Sequence, residues 1–114
     1  MSQPSSRSLV WLVQIREEAN TIAGFVRDKS LKDYRSDKQL RYAVERALQR
    51  LTEAAHRLGN EGQQLLPSIA WTELRGFGNI LRHGYDQLDD EVVWRSAVRD
   101  VPELKVRIEA LIGA

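Results

Sequence analysis

Cysteine is missing from all 114 residues. That absence excludes a disulfide-stapled scaffold, a thiolate zinc site and a cysteine nucleophile. With only two histidines and no thiolates, the sequence offers no zinc ligand set. No apolar run approaches the ~18 residues that a membrane span needs. The opening MSQPSSRS lacks the basic-then-apolar order of a signal peptide. The expectation is a cytoplasmic chain that does not engage a membrane. An excess of one charge sign is also lacking, with 17 basic against 16 acidic residues and a net charge of +1. Any nucleic-acid site must therefore be a local patch. HExxH, GxSxG, P-loop and GxGxxG patterns do not occur. No cofactor or metal is expected.

What the sequence does have is helical periodicity. Residues 1–8 read as a loose polar tail, and 9–114 read as one domain. From Leu9 to about Lys29, apolar residues recur at helical spacing, as at Leu12, Ile15, Ala19, Ile22 and Val26. Residues 30–37 are a polar connection whose Asp37 can cap the next helix. Leu40, Val44, Ala47, Leu48, Leu51, Ala54, Ala55 and Leu58 then follow the 3-4-3-4 rule for nineteen residues. Gly59-Asn60 stops that helix. A further helix is predicted over 70–83, ended by Gly84, and another from Asp89-Asp90. Asp100-Val-Pro102-Glu103 reads as the start of a last helix, with a capping Asp and an early Pro. Sustained apolar–polar alternation is absent. The fold class is an all-α bundle of four or five helices.

Residues 71–85, WTELRGFGNILRHGY, carry the chemistry. At about 100° per residue, with Arg75 at zero, Arg82 falls near −20°, Asn79 near 40° and His83 near 80°. Leu74, Phe77 and Leu81 fall on the opposite side. A cation, an amide and an imidazole on one stripe suit phosphate binding and proton transfer. The competing reading is a surface histidine favoured by a helix C-terminus and two solvated arginines. Gly76 and Gly78 each cost about 1 kcal/mol in mid-helix relative to Ala. Close approach of another helix, from this chain or a second copy, is the expected reason. Tyr85 is either an anchor for the loop or an exposed chemical handle. Trp71 and Trp94 read as core. Arg46, Arg50 and Arg57 read as a solvated flank with Glu45 and Glu53, and His56 has no evident role.

The stretch Asn79-Ile-Leu-Arg-His83-Gly-Tyr85 resembles the Arg-Asn-x-x-x-His-x-Tyr core of the HEPN superfamily, specifically its HepT-like toxins. The similarity extends to the ARALQRLTEAA helix, to Asp89–Trp94 and to Asp100–Leu104. The resemblance implies a homodimer whose Arg and His residues meet in a cleft between subunits. It also implies metal-independent cleavage of an RNA, mRNA or tRNA, with His83 as the acid–base residue. It further implies a partner, the minimal nucleotidyltransferase antitoxin of a toxin–antitoxin module, which adds AMP to Tyr85. The sequence departs from the pattern where Arg should precede Asn79, because that residue is Gly78. Arg75 and Arg82 are the nearest substitutes. Two readings follow: a nuclease with a relocated arginine, or a non-catalytic module that dimerises and docks the nucleotidyltransferase.

Overall fold

A computed structural model describes residues 3–84, 86 and 88–113. These residues form helices and no strand. α1 spans Ser6–Val26, α2 Leu31–Ser36, α3 Lys38–Leu58, α4 Asn60–Leu65 and α5 Trp71–His83. α6 spans Asp90–Arg95 and α7 Val101–Ile112, joined by a π-turn over Ser96–Asp100. Four long rods result, namely α1, α3, α5 and the run from α6 to α7, as a helical bundle requires.

Local chemistry sets most boundaries. Asp37 accepts from the Leu40 N–H and opens α3; Asp89 does the same for Glu91 at α6. Gly59 closes α3 at φ 67°, a left-handed value that disfavours any side chain. The N-terminus corrects the polar-tail reading. α1 begins at Ser6 because Ser5 accepts from the Ser8 N–H. Ser8 is itself buried and donates to Glu61. Arg7 donates to the carbonyl oxygens of Arg57 and Leu58.

The predicted helix start at Asp100 is also corrected. Arg95, Ser96, Asp100 and Val101 all keep right-handed helical angles, and Asp100 makes no side-chain cap. The Val101 N–H instead reaches back five residues to the Ser96 carbonyl. The rod bulges here because Pro102 has no N–H and its ring crowds the preceding turn.

α3 is the hub. Its apolar stripe, Val44, Leu48, Leu51, Ala55 and Leu58, is fully buried against Leu12, Ile15 and Ile22 of α1 and Leu81 of α5. Each such large aliphatic side chain contributes about 1.5–3 kcal/mol on burial. Polar contacts give the directions. Arg7 meets residues 57 and 58, whereas Glu18 accepts from Arg50 at 2.9 Å, so α1 and α3 run antiparallel. Gln49 donates to the Leu81 carbonyl at 2.9 Å and Arg75 to the Gly59 carbonyl at 2.7 Å, so α3 and α5 do too. Trp71 is buried, with its indole N–H on the Leu66 carbonyl at 3.0 Å. Trp94 is half-buried and lies 5.6 Å from the ring of Tyr34. Both tryptophans are therefore structural, as expected. Burial, then the Glu45 and Asp90 carboxylates, hold the Tyr34 phenol well above its ordinary pKa.

Candidate functional site

α5 packs on α3 through a glycine. Gly78 is buried, and a Cβ built on it would stand 2.7 Å from Thr52 Cβ and 2.8 Å from Thr52 Oγ1. Thr52 is fixed in turn, its hydroxyl donating to the Leu48 carbonyl at 2.8 Å. The helix that approaches is thus α3 of the same chain. Gly76 meets nothing within 4 Å and stands on the outer face. Of the two glycines, only Gly78 is there for close packing within the subunit.

The two arginines separate. Arg75 turns back to the Gly59 carbonyl at 2.7 Å and caps the end of α3. Arg82 lies across Gly78. Its Nη1 is 3.3 Å from where a residue-78 Cβ would sit. Its Nη2 donates to Asn79 Oδ1 at 2.7 Å, and Nη1 is 3.5 Å from Glu53 Oε1. Nη1 is buried and makes no hydrogen bond among the described residues. The Asn79 side chain thus has a partner, which explains an amide at a position that helix propensity disfavours.

His83 and Asn79 are exposed. Helical phase puts them on the face of α5 turned away from the core, along with Thr72, Gly76 and Ile80. Ile80 is 42% exposed, unusual for an isoleucine in a bundle this size. The single polar stripe read from the sequence is therefore divided. Asn79 and His83 face out, Arg82 lies along the α3 seam, and Arg75 serves the backbone. The opposite face is apolar as read, with Leu81 buried and Leu74 and Phe77 half-buried. Gly84 ends α5, its N–H on the Ile80 carbonyl. Tyr85 lies outside the described residues.

Two parts of this site escaped the sequence. Glu53 looked like a solvated salt-bridge residue, but it faces Arg82 and also accepts from Arg57 at 3.1 Å. Thr52 sits beside the apolar stripe of α3, a polar interruption that was the one visible hint of a special contact. A cavity of about 430 Å³ opens elsewhere on α5, between Leu74, Phe77, Val92, Leu104 and Arg107. None of Asn79, Arg82 or His83 lines it. Among the described residues, no cluster of His, Asp or Glu could hold a metal ion, and no helix is long and apolar enough to cross a membrane.

Comparison with known proteins gives the family of the chain. The family described as Ribonuclease HepT-like matches residues 15–111. A protein of Methanocaldococcus jannaschii named as an RNase is 34% identical over 99 residues, covering 87% of this chain and 91% of that one. A protein of Thermococcus cleftensis named as a ribonuclease HepT is 34% identical over 101 residues, covering 89% and 92%. A protein of Caldanaerobacter subterraneus named as an RNase is 24% identical over 102 residues, covering 90% and 91%. No solved structure gives a significant match.

Proposed function

The chain belongs to the HepT-like ribonuclease family, and from that premise we propose that it is a metal-independent endoribonuclease and the toxin of a two-gene module. The observation that carries this reading is the seat of Arg82. Its guanidinium lies over Gly78, tied to Asn79 and next in sequence to the outward His83. Position 78 is where the family pattern has its arginine, and in this reading Arg82 supplies that cation in its place. In this reading Arg82 stabilises charge on the phosphorus, Asn79 orients Arg82, and Arg75 has no chemical part.

His83 supplies the proton chemistry, since an imidazole can both take and give a proton. It takes the proton of the ribose 2′-hydroxyl. The freed oxygen attacks the phosphorus, and the bond to the 5′-oxygen breaks as that oxygen gains a proton. One imidazole cannot be base and acid in the same step. The partner subunit's His83 fills the second role in a homodimer joined through the outer face of α5. Gly76 leaves that face flat and Ile80 makes it sticky, which supports such an interface.

The native protein should therefore cut unpaired RNA in the presence of EDTA and leave 2′,3′-cyclic phosphate ends. Light scattering should report about twice the 13.1 kDa chain mass. A clean monomer would sink the shared cleft. A dimer that never cleaves RNA would hand the site to the alternative reading, a non-catalytic module that docks the nucleotidyltransferase.

Tyr85, two residues past His83, is the proposed target of that antitoxin. AMP there would place a phosphate charge and a nucleoside beside Arg82 and His83, mimicking and excluding RNA. Co-expression with the cognate nucleotidyltransferase should raise the intact mass by one or more AMP units. The gain should vanish in Tyr85→Phe. Modification that persists in that variant would rule Tyr85 out.

A further inference from the structure

A second charged cluster lies on the other side of Arg82 and has no part in the chemistry above. α1 and the C-terminal half of α3 border an open groove of about 590 Å³, lined by Arg7, Trp11, Glu53, His56 and Arg57. The Arg57 guanidinium stands over the Trp11 ring, 5.7 Å from its centroid. Glu53 is the one carboxylate in this lining, and it holds a cation on each side. Its Oε2 accepts from Arg57 at 3.1 Å, and its Oε1 is 3.5 Å from Arg82. The groove and the proposed phosphate clamp therefore share a single side chain.

We infer that this groove is a subsite for one unpaired nucleotide of the RNA strand, next to the scissile phosphate. The inference rests on the ribonuclease reading and names how that site holds its substrate. With the Trp11 indole behind it, the exposed Arg57 guanidinium offers a flat cationic plane on which any base can stack. Arg7 at the other end of the groove is already paired with Glu61 at 3.7 Å, so the place for an anion is the one between Arg57 and Arg82. A phosphate arriving between Arg57 and Arg82 takes the place of the Glu53 carboxylate, which is where two cations already converge. Duplex RNA keeps its bases stacked on one another, so such a platform selects an unpaired strand.

The test uses the full chain carrying His83→Ala, so that RNA is bound and not cut. The probe is a short, unstructured, 5′-fluorescein-labelled RNA read by anisotropy. Trp11→Ala should weaken binding about tenfold, as expected for loss of one base stack. Trp11→Phe, which keeps a ring and the packing, should stay within about threefold. Glu53→Gln should tighten binding. Arg57→Ala should lower the slope of log K against log salt by about 0.7, one single-strand phosphate contact. Unlabelled single-stranded RNA should compete better than a duplex of the same sequence. The subsite is overturned if Trp11→Ala and Arg57→Ala bind like their parent, or if duplex competes equally. Native protein that still cleaves in that case leaves the ribonuclease reading standing. Native protein that neither binds nor cleaves RNA removes both.

Discussion

His83→Ala should lower RNA cleavage by about 10²–10⁴-fold, the span that positioned acid–base catalysis supplies, and should leave the melting temperature of the dissociated chain unchanged. The side chain is exposed and makes no hydrogen bond within the described chain, so the fold does not rest on it. The arginines should then divide along the geometry. Arg82→Ala removes the guanidinium over Gly78 and leaves a phosphorane-like charge unmatched. By analogy with a lost oxyanion donor, cleavage should fall about 10²–10³-fold. Arg75→Ala removes a bond to the Gly59 carbonyl instead. It should cost about 1 kcal/mol of stability and leave the turnover rate near native. Single-turnover kinetics with thermal melts on the three variants would check this. Equal loss of activity in Arg75→Ala and Arg82→Ala would show that the relocated-cation assignment is wrong.

Gly78→Ala should destabilise the protein by about 1–3 kcal/mol, the usual size of overpacking, although alanine is the better helix former by up to about 1 kcal/mol. The overlap decides the sign. The new methyl would stand 2.7 Å from Thr52 Cβ, which is a branch point next to the α3 backbone and not the tip of a flexible chain. One helix has to move away from the other. The same overlap defeats Gly78→Arg. Restoring the family's residue should not restore activity, because the α5 seam would open and Arg82 would lose its seat. Gly76→Ala is the control. With nothing within 4 Å, it should be neutral or stabilising in the dissociated chain, by up to about 1 kcal/mol. Chemical denaturation of the two alanine variants side by side separates the cases. A stabilised Gly78→Ala would mean that α3 and α5 do not pack as closely as described.

The periodic parts of the fold were legible because they obey local rules. The apolar stripe of α3, the Asp37 cap and the Gly59 stop all follow from neighbours within one or two turns, and the structure has each of them. The last rod was misread for the same reason. Asp100-Val-Pro102-Glu103 has the local signature of a helix start, yet the preceding turns were already helical and absorbed the proline as a bulge. The start of α1 has a local cap at Ser5, but what holds that first turn on the bundle is Glu61, fifty-three residues from Ser8, and no short-range pattern contains that contact. At the site, Asn79 and His83 lie on the exposed face of α5, which helical phase alone fixes. Arg75 and Arg82 could not be told apart, because a long side chain chooses its partner in three dimensions. The partners here are the Gly59 carbonyl for Arg75, and the Asn79 amide oxygen and Glu53 carboxylate for Arg82. Glu53 and Trp11 stayed hidden because their significance comes from Arg82 and Arg57, which only the packing of α1, α3 and α5 brings near.

The π-turn at Ser96–Asp100 has a consequence for chain length. A π-turn holds one residue more than the α-helical turn it replaces, the form that a single-codon insertion takes when a helix absorbs it. Val93 before it, Ala97 within it, and Val101, Leu104 and Ile108 after it all point into the core. The π-turn therefore keeps both halves of the rod facing the core. Pro102 makes that state difficult to undo. Removing one residue between 96 and 100 would return the segment to α-helical spacing and put the proline where a backbone donor and ring clearance are both needed, a penalty of about 3 kcal/mol. A one-residue deletion there should therefore be better tolerated once position 102 is no longer proline.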